Sequence, residues 1–160
     1  MKLITPVERT AASQWFDDEL VSAARERTPS HARTALVERS APQGAMPPLH
    51  RRDEDETYRV LEGEVTFFID DDVVSARPGD VVVAPAGAAR TFIATEDARW
   101  LVLTHVSSID RFVAWGRALT RPVTVELSRR WPSAEEHASL RALAAGCGIE
   151  VLAPPGVLPA

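Results

Sequence analysis

A chain of 160 residues, 45% hydrophobic and 26% charged, has the size and mixture of one soluble globular domain with a sizeable core. Its formal net charge of −5 argues against a nucleic-acid partner, which needs a basic face. No apolar run approaches the ~20 residues that cross a bilayer, residues 1–6 hold no signal-peptide stretch, and Cys147 alone cannot make an internal disulfide, so a cytoplasmic protein without a membrane partner is expected.

In chain order, the first 18 residues give little signal beyond the apolar pair Trp15 and Phe16 before an acidic stretch. Residues 20–25 read as a strand, although 23–26 also has helical propensity. A turn at Thr28, Pro29 and Ser30 then leads to a partner strand over 34–39. The centre is clearer. Residues 58–62 end at Gly63, and 65–70 is rich in β-formers and stops at Asp70, Asp71 and Asp72, read as a solvated turn. Residues 73–76 lead into Arg77, Pro78, Gly79 and Asp80, a strong turn signal. Strands are expected at 81–84, 90–95 and 100–105. Short strands with Gly and Pro turns between them indicate an antiparallel sandwich or barrel.

The tail changes character. Ile109, Phe112, Val113 and Leu119 have near-helical spacing. A second helix begins at Ser133, whose capping box closes with Glu136, and ends at Gly146. Residues 149–152 are extended. The expectation is one domain over 1–160, with a barrel core at about 34–105 and a helical extension at about 109–146.

Two spacings carry the chemistry. From Gly44, five residues precede His50; Arg52, Glu56 and Gly63 follow after one, three and six. From Gly79, five residues precede Pro85; Gly87 and Arg90 follow after one and two. This resembles the paired motifs of the cupin superfamily, G-x5-H-x-H-x3–4-E-x6-G and G-x5-P-x-G-x2-H-x3-N, with Gly44, His50, Glu56, Gly63, Gly79, Pro85 and Gly87 in register. The flanks are similar to single-domain bacterial cupins of the quercetin-dioxygenase-like kind. The resemblance implies a mainly β, double-sheet antiparallel jelly-roll barrel, here with two C-terminal helices, and a homodimer, for which pairing through edge strands is expected because it covers exposed edges.

In such cupins three histidines and the glutamate hold one divalent transition metal. Here the second and last histidine positions are Arg52 and Arg90, and the terminal Asn position is Ala94. Arginine has no lone pair to give and stays protonated. No cofactor is therefore expected. A metal, were one held, would have His50, Glu56 and, from the end of a strand, His105.

The leading expectation is a metal-free pocket for a small anionic or polar organic molecule. Its ligand-binding residues would be His50, Arg52, Glu56, Tyr58 and Arg90, with Glu56 or His50 as the proton-transfer group of any acid–base catalysis. If the chain is an enzyme, it is an oxygenase or a metal-independent isomerase or lyase. Two alternatives stand beside this: a metal-dependent dioxygenase of the quercetin-dioxygenase-like type, and a non-catalytic sensor or scaffold with a vestigial pocket. Arg52 itself has two roles open to it, binding a carboxylate through its fork or pairing with Glu56.

Overall fold

The computed structural model describes residues 13–16, 19–24, 34–105, 138, 141–142, 144–146 and 148–160, and side chains from residue 36 onward. Eleven strands are described: β1 Ser13–Phe16, β2 Glu19–Ala24, β3 Thr34–Ala41, β4 Leu49–Arg52, β5 Glu56–Glu62, β6 Val65–Ile69, β7 Asp72–Ala76, β8 Val81–Ala84, β9 Arg90–Ala94, β10 Ala98–His105 and β11 Ile149–Ala153. They form two antiparallel sheets with orders β1-β2-β3-β10-β5-β8 and β11-β4-β9-β6-β7. This is the antiparallel architecture expected from the spacing of strand and turn signals, in the double-sheet jelly-roll form that the resemblance implies.

Alternation builds the core. In β6, Val65, Phe67 and Ile69 face inward; in β10, Trp100 and Val102 are fully buried. The inward aromatics form a chain across the two sheets. Tyr58 lies 4.8 Å from Phe67, Phe67 lies 6.1 Å from Phe92, and Phe92 meets Trp100 edge-on at 5.0 Å. Contacts of this kind contribute about 0.5–1.5 kcal/mol each beyond the area they bury.

The motif glycines are required by geometry. Gly63 closes the β5–β6 turn at φ 69°, and a Cβ there would fall 2.2 Å from the Asp97 carbonyl oxygen. Gly87, at φ 78°, turns the β8–β9 loop so that its N–H donates to the Arg52 carbonyl at 2.8 Å. That bond ties the loop to the end of β4.

The β2–β3 hairpin appears as expected, with Leu20 opposite Ser40 and Ala24 opposite Leu36. Strand β1 has no counterpart in the sequence reading. The acidic turn does more than meet solvent. Asp70 sits at φ 48°, donates its N–H to the Ala89 carbonyl and accepts the Ala89 N–H on Oδ1, both at 2.8 Å. The end of the second helix also moves. Gly146 is still helical, and the left-handed residue is Gly148, at φ 70°, whose N–H donates to the Ala145 carbonyl. Gly148 allows the chain to enter β11, which pairs with β4. The expected helix over 109–119 and the Ser133–Glu136 capping box lie outside the described residues.

Candidate functional site

Strand parity aims His50 and Arg52 of β4 into the barrel, and β9 sets Arg90 directly opposite His50. Glu56, the first residue of β5, arrives from the facing sheet. Arg52, Glu56 and Arg90 are all buried, Glu56 almost completely at 1% exposure. The barrel thus gathers both motif arginines around one carboxylate.

That carboxylate is enclosed by cations. Arg52 Nη1 lies 2.9 Å from Glu56 Oε1, an ion pair without hydrogen-bond alignment. Arg90 Nη1 lies 3.4 Å from Oε2, and the Tyr58 hydroxyl donates to the same oxygen at 2.6 Å. Burial by itself raises the Glu56 pKa. The Arg52 charge first, then Arg39 and the Tyr58 hydroxyl, overcome that and hold Glu56 below its usual range, so it is ionised at neutral pH. Burial, reinforced by the Glu56 charge, pushes Tyr58 upward, so its hydroxyl remains a proton donor.

The two arginines differ in what they have left to offer. Arg90 has four of its five N–H donors engaged: Nε donates to the Ala88 carbonyl at 3.3 Å, Nη1 to the Ala84 carbonyl at 3.4 Å as well as to Glu56, and Nη2 to the Pro85 carbonyl at 2.7 Å. It staples the β8–β9 loop to the barrel. Arg52 makes one side-chain contact among the described residues, the pair with Glu56. Among those residues, the rest of its fork has no partner.

His50 is half-buried, the member of the group in contact with solvent. Its Nδ1 lies 2.9 Å from the Pro48 carbonyl, which can only accept, so Nδ1 carries the proton and Nε2 keeps its lone pair. Burial lowers its pKa to about 4 against the raising effect of that carbonyl and of Glu56, so the ring is neutral near pH 7. Among the described residues the fully buried charges then sum to two guanidiniums, Arg52 and Arg90, against one carboxylate, with the half-buried Arg39 a third cation acting on Glu56.

These residues do not suit a divalent metal. Both Glu56 oxygens face cations or a hydroxyl, and two guanidiniums occupy the surrounding space and repel a further cation. Among the described residues no group of three His, Cys, Asp or Glu side chains could hold one. His105 is exposed and has the opposite parity to buried Val102 and Thr104, so it does not join His50 and Glu56. Asp55 is spent on the loop, accepting the Ala86 N–H at 2.8 Å. Cys147 lies outside the described residues.

The sequence reading missed Arg39. It shares inward parity with buried Val37 and Ala41 on β3 and lowers the Glu56 pKa through its charge. The signal was available: a lone Arg between two apolar residues at period two in a strand.

Residues 36–104 match the family model described as a cupin domain. No curated protein gives a significant match. Solved structures give many. An RmlC-like cupin from Shewanella frigidimarina aligns with a TM-score of 0.55 at 13% identity, covering 66% of this chain and 91% of its own. The polyketide cyclase RemF from Streptomyces resistomycificus aligns at 0.52 and 19% identity, over 64% and 80% of the two chains. KdgF from Halomonas aligns at 0.51 and 21% identity, over 56% and 80%. Identities this low speak to the fold alone.

Proposed function

Residues 36–104 match the cupin-domain model, and from that premise we propose that the barrel takes up a small organic anion, a carboxylate, without a metal. The observation that carries this is the buried surplus cation. Among the described residues Arg52 has N–H donors without a partner, beside a neutral His50 whose Nε2 lone pair has none either. An uncompensated buried charge is costly, and a carboxylate seated on the guanidinium fork would neutralise it. His50 Nε2 would accept a hydrogen bond from a hydroxyl on the same ligand. Of the two proton-transfer candidates, His50 is the better placed, because both oxygens of Glu56 are already engaged. Glu56 and Tyr58 position the cluster, and Arg90 holds the loop.

The fold leaves the chemistry open, since a polyketide cyclase shares it. Arg90 favours a second reading, a scaffold whose pocket is neutralised from within, because its contacts are all to the protein itself. A cytoplasmic location fits the single cysteine, and among the described residues no helix is long and apolar enough to cross a membrane.

A thermal-shift screen of small mono- and dicarboxylates separates the readings. A rise in melting temperature for the wild type, abolished in Arg52→Gln, supports the receptor. A flat response across the panel selects the scaffold. Near-stoichiometric metal in elemental analysis of protein purified without chelator would overturn the metal-free reading outright.

A further inference from the structure

Beside the charged cluster lies a polar atom that the cluster does not use. Strand β10 turns Trp100, Val102 and Thr104 inward and Leu103 and His105 outward. Its register with β5 sets Val102 opposite Tyr58 and Leu103 opposite Thr57. One residue further along the same register, Thr104 comes level with Glu56, where β5 begins. Thr104 is 7% exposed, and among the described residues its Oγ1 has no hydrogen-bond partner. Thr91, also buried, shows the usual outcome: its hydroxyl donates to the Pro47 carbonyl at 2.8 Å. A buried hydroxyl left without a partner costs free energy, so its retention calls for a reason. The reason is in its position. Thr104 belongs to one sheet and His50 and Arg52 to the other, so the hydroxyl faces the same end of the barrel as the Arg52 fork and the Nε2 lone pair of His50.

We propose that Thr104 is a specificity-determining residue, and that the acid taken up by the barrel is a short 2-hydroxy acid. This rests on the carboxylate reading given above and narrows it to one class. The ligand carboxylate sits on the Arg52 fork. The hydroxyl on the adjacent carbon donates to His50 Nε2 and accepts the Thr104 O–H. Each partner has the role this requires. His50 carries its proton on Nδ1, against the Pro48 carbonyl, so Nε2 can only accept. The Thr104 hydroxyl rotates freely about its C–O bond and can give its proton to the ligand. A plain carboxylic acid of the same length satisfies Arg52 but leaves both of these groups unmatched. Sites that bury polar groups discriminate in this way, through the partner that the wrong ligand fails to supply.

Isothermal titration calorimetry of the full chain tests this with matched pairs: each enantiomer of lactate against propionate, and each enantiomer of malate against succinate. The wild type should bind one enantiomer of each hydroxy acid roughly tenfold tighter than the acid without the hydroxyl, the worth of about one good hydrogen bond. Thr104→Val should erase that ratio and leave the affinity for propionate and succinate unchanged. Thr104→Ser should restore it. The melting temperature of Thr104→Val without added acid should not fall, because the hydroxyl removed has no partner to lose. Equal binding of both members of each pair by the wild type overturns the proposal and leaves the carboxylate reading standing. A ratio that survives in Thr104→Val also overturns it. So does a lower melting temperature for that variant, which would give the hydroxyl a partner within the protein. A wild type that binds none of these acids overturns the proposal and the carboxylate reading together.

Discussion

The barrel interior has two ends built by the same alternation rule and held together by opposite physics. At one end, Phe67, Phe92 and Trp100 bury apolar area and touch edge-on or tilted. At the other, Arg52, Glu56 and Arg90 bury charge at equal depth. Tyr58 joins them, with its ring on Phe67 and its hydroxyl on Glu56. The apolar end is stabilised by leaving water. The charged end loses solvation and is stable only because each charge has a neighbour. Only the apolar end should therefore be indifferent to pH.

The largest effects compare the two ends directly. Phe67→Ala should cost about 3–5 kcal/mol in urea unfolding by opening a cavity. Glu56→Gln should cost a similar amount, about 3–5 kcal/mol, because it strands two buried guanidiniums. The two variants should separate when chloride is replaced by a small carboxylate, which can stand in for the missing charge in Glu56→Gln and has nothing to do in Phe67→Ala.

Acid gives the next effect. The folded pKa of His50 is about 4 against the usual 6.5, so the unfolded chain binds the extra proton first. Stability should fall as pH drops from about 6.5 to about 4, by at most roughly 1.4 kcal/mol per pH unit. Glu56, whose folded pKa is depressed, contributes stability above its ordinary value of 4.5, and this is lost as pH falls further through the lower folded value. His50→Gln should flatten the first window and leave the second. Phe67→Ala should lower the whole curve without changing its shape.

The smallest effect should come from Arg52→Met. Removing Arg52 takes the partner of Glu56 Oε1 but also one of two buried cations, and Arg90 and Tyr58 stay on Oε2, so the loss should be smaller than that of Glu56→Gln. Any carboxylate-dependent rise in melting temperature should vanish with it. A loss as large as that of Glu56→Gln would show that Arg52 serves only to hold Glu56.

The cupin frame was legible because its glycines answer to backbone constraints that spacing records, as Gly63 does against the Asp97 carbonyl. The replacement of ligands by Arg52 and Arg90 was also plain in the sequence. What each arginine does was not. Arg90 donates to the carbonyls of Ala84, Pro85 and Ala88, and which carbonyls a guanidinium reaches depends on how the β8–β9 loop folds over it. Gly146 looked like the helix stop because glycine marks such ends. Gly148 takes the role because the next strand must begin there to meet β4. Asp70 read as a solvated turn because its partner, Ala89, lies in the β8–β9 loop, 19 residues on.

Arg90 has a consequence for how such a barrel can be regulated. A bound ion has an occupancy that follows its concentration, and a chelator can remove it. The guanidinium facing Glu56 and the loop carbonyls is attached to the backbone, present once per chain and never in exchange. Arg90 therefore holds the β8–β9 loop through its own backbone-attached charge.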